Sequence, residues 1–135
     1  MRLNVRQQFT ERRKLPSMRP SQLDQISAAG CEVVARIILR RTRSGVDITG
    51  RPFRPYTPGY AAQRRREGLR TRPVDLRRTG ALYASVQPKT RVVLVDGIKA
   101  GFLAAAGREF FGIRRQEERD LVTAALRRKT KAVLR

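Results

Sequence analysis

The stretch between Gly45 and Gly80 limits the possible folds of this chain more than any other. It reads GVDITGRPFRPYTPGYAAQRRREGLRTRPVDLRRTG, with five of the ten glycines, four of the seven prolines and arginines well in excess of its three acids. Because glycine and proline interrupt helices and central strands, such a stretch is either a disordered linker or a shaped loop. Phe53 and Tyr56 favour the loop, since disordered linkers are poor in aromatic anchors. We therefore predict a loop that contacts another molecule.

Two amphipathic helices are predicted on either side of this loop. Apolar residues recur every three or four positions over Ser21 to Thr42, and Ser21 with Asp24 resembles an N-terminal capping box. The second helix, from Gln116 to Leu134, has acids in its first turn and basic residues in its last, which matches the helix dipole. Cys31 falls on the apolar face of the first helix, so we expect it to be a buried core residue.

A short helix is predicted inside the loop, from Tyr60 to Glu67. Thr57 is suited to cap it, Pro58 to occupy its first position and Gly68 to end it. This helix carries three consecutive arginines, Arg64, Arg65 and Arg66. They repel one another, and a facing polyanion would remove that repulsion; the alternative is a solvated basic face.

Short strands are predicted after the loop. The segment Arg91 to Asp96, RVVLVD, has the β-branched composition of a strand. The short apolar stretch Ala81 to Val86 is ambiguous between helix and strand, and as a strand it would pair with Arg91 to Asp96 in a hairpin through a turn over residues 87–90. The segment from Gly97 to Gly112 is read as a further strand, bent at Gly101, followed by a turn. The expected fold is α+β, with a long N-terminal helix and a C-terminal helix packed on a small antiparallel sheet of two to four strands.

The chain is divided into a basic N-terminal arm, residues 1–20, and one domain, residues 21–135, with the loop 45–80 as an insertion. Leu3, Val5 and Phe9 are scattered among the basic residues of the arm. The arm is either a solvated tail or a segment that docks on a neighbouring subunit through these three residues.

The charge of the chain points to a polyanionic partner. Lysine and arginine number 31 against 11 acids, which gives a formal charge of +20. Such a charge attracts nucleic acid first, and an acidic protein or a membrane surface next. A ribosomal-type or DNA-compacting protein would have this composition too.

The sequence lacks the residues on which most catalytic mechanisms depend. The chain has no histidine and a single cysteine, and Asp47, Asp75 and Asp96 stand apart from one another. Zinc-finger ligands, a phosphate-binding loop and the aromatic motif of an RNA-recognition sheet are all missing. We expect no enzyme, no cofactor, no metal and no membrane span; a small nuclease or toxin would need an acid cluster. If the chain binds nucleic acid, we therefore expect it to contact the phosphate backbone rather than to recognise specific bases.

Three motifs follow one another along the chain. The first is a glycine- and proline-rich loop motif formed by Gly45, Asp47, Gly50, Arg51, Pro52, Phe53 and Pro55. The second is formed by Leu76, Thr79, Gly80, Leu82 and Ser85, and the third by Arg108, Phe110 and Gly112. In this order the motifs resemble the virion morphogenesis, or tail completion, family of tailed bacteriophages, and the resemblance covers about Ser21 to Leu134.

The resemblance implies a structural protein of the virion, assembled in the cytoplasm of the bacterial host. Such proteins form a homo-oligomeric ring, six- or twelve-fold, at the head–tail junction. The ring joins the portal or adaptor protein to the tail tube or tail terminator protein, and double-stranded DNA passes through it without sequence-specific contact. Closed rings of this kind arise from head-to-tail interfaces.

The expected contact residues all lie in the loop. Those expected to face DNA or an acidic neighbouring subunit are Arg64, Arg65, Arg66, Arg70 and Arg72. Those expected at a subunit interface are Arg51, Phe53, Arg54, Tyr56 and Tyr60, with Phe53 and Tyr56 partly buried as anchors of the loop. Replacing Arg64, Arg65 and Arg66 together by serine is expected to impair assembly and to leave the fold intact. The alternative function is a stand-alone, sequence-independent nucleic-acid-binding protein.

Overall fold

Five helices and three short strands are formed by residues 1–4 and 18–135, the part of the chain that the computed structural model describes. In chain order the elements are β1 (Arg2–Asn4), α1 (Pro20–Arg43), α2 (Pro58–Arg66), α3 (Ala81–Ser85), β2 (Gln87–Pro88), β3 (Val92–Leu94), α4 (Gly97–Ala105) and α5 (Gln116–Val133). Long helices near both ends and a small antiparallel sheet confirm the predicted α+β class.

Helix α1 begins one residue earlier than predicted and is capped differently. Its N-cap residue is Arg19, whose backbone N–H donates to Oε1 of Gln22 at 2.9 Å. Asp24 instead accepts a hydrogen bond from Nε of Arg91 at 2.8 Å. The predicted capping box of Ser21 and Asp24 is therefore wrong, because proline at the first helical position moves the cap to the preceding residue.

Helix α1 packs on both the other long helix and the sheet. One part of its surface contacts α5, and another contacts β2 and β3. Cys31, Val34 and Ile38 of α1 are completely buried in the shared core, together with Val93 of β3 and Val122 of α5. The prediction that Cys31 is a core residue is confirmed, and burial raises the pKa of its thiol to about 11.

The sheet contains three antiparallel strands in the order β1-β3-β2. Strand β1 comes from the segment predicted as an arm: Leu3 pairs with Val93 and is buried in the core. Of the three proposed arm anchors, Leu3 thus packs against its own chain. Val5 and Phe9 lie outside the described residues.

A hairpin forms, but not from the predicted first strand. Gln87 and Pro88, which were predicted as part of the turn, pair with Leu94 and Val93, whereas residues 81–85 form helix α3. The adjacent residues Leu82 and Tyr83 are both buried, which an alternating strand would not allow. Assigning Ala81 to Val86 to a strand was therefore wrong.

The segment after Asp96 is helical, which corrects the prediction of a strand bent at Gly101. The Asp96 carboxylate accepts hydrogen bonds from the backbone N–H groups of Ile98 and Lys99, both at 3.2 Å, and so caps helix α4. The alanines that follow have the highest helix propensity of any residue. The N-cap aspartate and the alanines stabilise this helix more than its two glycines destabilise it.

Candidate interaction surface on the arginine-rich loop

The loop that begins at Gly45 closes on itself through a tight turn around Asp47. Oδ1 of Asp47 accepts hydrogen bonds from the backbone N–H of Thr49 at 2.8 Å, from the Thr49 hydroxyl at 2.6 Å and from the Arg51 N–H at 3.0 Å. The backbone returns to its start where the Phe53 N–H donates to the Gly45 carbonyl at 2.8 Å. Phe53 is buried in the core, so it anchors the loop as predicted and leaves only 4% of its surface exposed to a partner.

The stability provided by Asp47 is expected to depend on pH. Burial alone would raise the pKa of Asp47, but the hydrogen bonds from Thr49 and Arg51 outweigh it and lower the pKa below its ordinary value. A carboxylate with a lowered pKa stabilises the fold above the unfolded pKa of about 3.9 and loses that effect as pH falls through the folded value. We expect Asp47→Ala to cost ~1–2 kcal/mol at pH 7, as for loss of a helix cap.

Urea denaturation of wild type and Asp47→Ala at pH 7 and pH 3 measures this effect. The difference in unfolding free energy between the two proteins should be largest at pH 7 and shrink at pH 3. A difference that is equal at the two pH values would contradict a role for the ionised carboxylate.

Gly45 is also required because another part of the chain packs closely against it, which is not the case at Gly68. Its φ is +77°, and a Cβ at this position would lie 2.6 Å from Cβ of Pro73. Gly68 has a similar φ of +73°, but a Cβ there would meet no atom within 4 Å. We expect Gly68→Ala to cost ~1 kcal/mol through backbone strain alone, and Gly45→Ala about 1–2 kcal/mol more through overpacking. Thermal unfolding of both variants tests this, and equal losses would refute the close contact with Pro73.

The short helix of the loop forms where the sequence predicts it. Helix α2 has Thr57 as its N-cap residue and Pro58 at its first position, and Gly68 has a positive φ just beyond its end. The three arginines of its last turn do not share one environment. Arg65 and Arg66 are exposed, whereas Arg64 is only 1% exposed.

Arg64 connects the two ends of the arginine-rich loop from within. Its Nε donates to the carbonyl of Arg70 at 2.9 Å, and Nη2 donates to the carbonyl of Arg77 at 2.8 Å. Nη2 also lies 3.3 Å from Oδ1 of Asp75, and the guanidinium carbon lies 4.6 Å from the ring centre of Tyr56.

The prediction that Arg64 contacts DNA or a neighbouring subunit is wrong. At 1% exposure, its side chain has almost no surface left for a partner. A triple replacement that includes Arg64 would therefore disturb the loop itself, contrary to the expectation that the fold stays intact. Arg65 and Arg66 are the two members of the triplet with accessible side chains.

The third motif holds the loop from the other side. Nε of Arg108 donates to the Arg54 carbonyl at 3.1 Å, and its Nη2 donates to the Pro55 carbonyl at 3.0 Å. The Arg108 guanidinium also lies 5.5 Å from the Tyr56 ring centre. Tyr56 thus contacts two guanidinium groups and, edge-on, the ring of Tyr60 at 5.1 Å. Tyr56 is half-buried, which agrees with its predicted role as an anchor.

The second motif turns the chain into helix α3. Leu76 has a φ of +55°, and Gly80, with a φ of +88°, is the N-cap residue of α3. The Thr79 hydroxyl accepts a hydrogen bond from the Ala81 N–H at 3.3 Å, and the Tyr83 hydroxyl donates to the Asp75 carbonyl. These contacts give the motif residues a structural role.

A buried ion pair near the loop was not predicted. Nη1 of Arg41, in the last turn of α1, lies 2.7 Å from Oε2 of Glu118 in α5. Nη2 of Arg41 donates to the carbonyls of Phe110 and Gly112 at 2.6 Å and 2.9 Å. A signal was available, because Arg41 follows Val34 and Ile38 on the buried stripe of α1.

Eight arginines of the loop have exposed side chains. Seven of them form no salt bridge with an acid of residues 1–4 or 18–135. These seven are Arg51, Arg54, Arg65, Arg66, Arg70, Arg72 and Arg77. Exposed Arg78, by contrast, pairs with Glu67 at 3.2 Å. The loop is therefore held in shape by internal contacts and presents arginine side chains that have no acidic partner in the described residues. Half-buried Tyr60 lies beside them.

The described residues form no group of three or more histidine, cysteine or acidic side chains that could hold a metal ion. Within the same part of the chain, no helix has both the length and the hydropathy needed to cross a bilayer. The candidate site consists of the exposed loop arginines and an apolar groove described below.

Comparison with known proteins returned no similar protein: the chain matches no protein-family model, no curated protein and no solved structure. The resemblance to the phage family thus depends on the motif residues alone.

Proposed function

We propose that this chain is a non-enzymatic structural protein of a tailed-phage virion. It would form a ring at the head–tail junction that joins the portal or adaptor to the tail and surrounds the DNA. One observation carries the proposal: a loop braced by Asp47, Arg64 and Arg108 holds seven exposed arginines without acidic partners. A rigid surface of this kind is suited to contact a polyanion without reading its sequence.

The acids of the chain are largely paired already, which favours neutralisation of the loop arginines by another molecule. Six acids are already paired within the chain: Asp24, Glu67, Asp75, Asp96, Glu117 and Glu118. A second copy therefore offers few free carboxylates to the loop arginines. Neighbouring copies in a ring would repel one another unless DNA or an acidic partner protein neutralised the loops.

Helix α4 offers an apolar patch for contact between ring subunits. Ile98 and Phe102 lie one turn apart on this helix and are 87% and 74% exposed. Large apolar side chains exposed together often mark protein contacts. The patch adjoins the loop, because Phe102 lines a pocket together with Arg64 and Arg78. One subunit would thus have an apolar contact beside a charged one.

The function of the loop is tested by removing its charge without Arg64. We expect the fourfold replacement of Arg65, Arg66, Arg70 and Arg72 by serine to leave the fold intact, because all four side chains are exposed. Particles assembled with this variant should retain less DNA or fail to join heads to tails. The yield of DNA-filled, tailed particles in electron micrographs is the readout.

A matched control removes four charges from another surface. Arg127, Arg128, Lys131 and Arg135 are exposed residues at the end of the chain and are replaced together by serine. The control should assemble normally. Assembly that is normal in both variants, or equally impaired in both, would count against a specific role of the loop.

The alternative function is a stand-alone protein that binds nucleic acid independently of sequence. The same unpaired arginines favour it. It predicts tight DNA binding by the isolated monomer, with an affinity that falls steeply with salt. Replacing the four loop arginines should then reduce the salt slope by up to about four, roughly one for each lost phosphate contact.

A further inference from the structure

An apolar groove lies beneath two of the exposed loop arginines. It has a volume of about 590 Å³, within the range typical of ligand-binding clefts. Its apolar walls include Pro52, Phe53, Pro55, Pro58, Pro73 and Val74. Arg65 and Arg72 line it as well, and no acidic residue does. The groove therefore combines an apolar interior with two cations that have no carboxylate partner in the described residues.

We infer that this groove binds a short acidic segment of a partner protein, with one apolar side chain inserted between the prolines. The two arginines would pair with carboxylates on either side of that anchor. Arginine suits this role because its planar guanidinium binds carboxylates in a bidentate manner. The inference rests on the proposed function for its biological setting, and it names the class of neighbour that the loop contacts.

The composition of the walls favours a peptide over nucleic acid. Proteins often bind phosphates through backbone N–H groups, and proline has none. Four of the lining residues are prolines, so the walls present few donors to a phosphate backbone. They present rigid apolar surface, which an inserted apolar side chain would remove from water.

The groove is also shaped before any partner binds. Phe53 is fixed in the core, and Arg108 holds the carbonyls of Arg54 and Pro55 on one wall. Gly45 contributes to the lining at the point where the loop meets Pro73. A preformed groove reduces the entropic cost of binding.

Fluorescence anisotropy of the full chain at 150 mM salt tests the inference. The probe is a labelled heptapeptide with a central phenylalanine between two runs of three acidic residues, and a second peptide has serine in the centre. We expect the phenylalanine peptide to bind at least tenfold more tightly. Absence of binding, or equal affinity for the two peptides, would overturn the inference.

Two double variants locate the binding site. Arg65→Glu with Arg72→Glu changes the groove, whereas Arg66→Glu with Arg70→Glu makes the same change of charge at residues that do not line it. All four side chains are exposed, so both variants should fold. We expect the first variant to lose at least tenfold in affinity and the second less than threefold. Equal losses of affinity would show that the peptide responds only to the overall positive charge, and they would refute binding in the groove.

The competing outcome, in which the groove binds nucleic acid, is tested with a DNA duplex of about 30 base pairs, which is roughly three helical turns. If the affinity of the duplex falls with the groove variant and not with its control, the groove is a nucleic-acid site and the inference is wrong. Peptide binding is measured separately from assembly. Absence of the chain from particles would refute the proposed function while leaving peptide binding to be judged independently.

Discussion

Replacing Arg64 by alanine is expected to lower the free energy of unfolding by ~3–5 kcal/mol, the usual cost of removing one partner of a buried ion pair. The loss has three physical causes. Asp75 would lose its cationic partner, the carbonyls of Arg70 and Arg77 would lose a donor, and the ring of Tyr56 would lose its stacked guanidinium. The loop would then lose the contact that joins its two halves.

The next residue in the chain provides a matched control. Arg65 belongs to the same helix and carries the same charge, but it is exposed. Arg65→Ala should change stability by less than ~0.5 kcal/mol, as is usual for surface positions. Urea denaturation of the two variants decides the matter. Equal effects would show that Arg64 is not the internal brace of the loop.

A second large effect is expected at Arg41 and Glu118, which join the ends of helices α1 and α5. Their side chains are 5% and 9% exposed and lie 2.7 Å apart. Replacing Arg41 by methionine leaves the Glu118 carboxylate buried without its partner, and two backbone carbonyls without a donor. We expect a loss of ~3–5 kcal/mol for this variant.

Removing both charges should be less damaging than removing one. Exchanging a whole buried ion pair for apolar side chains is often neutral, because neither charge is left unpaired. We expect Arg41→Met with Glu118→Leu to be more stable than Arg41→Met alone. A double-mutant cycle should give a coupling of ~1–3 kcal/mol. Additive losses would mean that the two residues do not stabilise the fold as a pair.

The parts of the fold predicted from sequence are those with strong local signals. The long helices follow from apolar residues on one face, and α2 follows from Thr57, Pro58 and Gly68. Where the signal was ambiguous, tertiary structure decided. Residues 81–85 are helical because the chain buries both Leu82 and Tyr83, which depends on the elements around them.

The candidate site was predicted in outline and wrong in one essential residue. Composition identified the loop, and Phe53 is the anchor that was expected. Charge alone could not separate Arg64 from Arg65, since three consecutive arginines look alike in a sequence. Spacing does separate them: Arg64 lies four residues after Tyr60 on helix α2, and its guanidinium lies 5.8 Å from the ring centre of that residue. The apolar groove could not be predicted, because residues 45–61 meet residues 71–74 only in the fold.

The location and copy number of this chain in tailed particles test the proposed function most directly. Particles from cells that produce the chain are purified, labelled with an antibody against it and imaged by electron cryomicroscopy of the neck. We expect the label at the head–tail junction and a closed ring whose subunits match the α+β fold, with the arginine-rich loops against DNA or the adjoining ring. Particles that lack the chain, together with tight DNA binding by the isolated monomer, would contradict the proposal and favour the stand-alone nucleic-acid-binding protein.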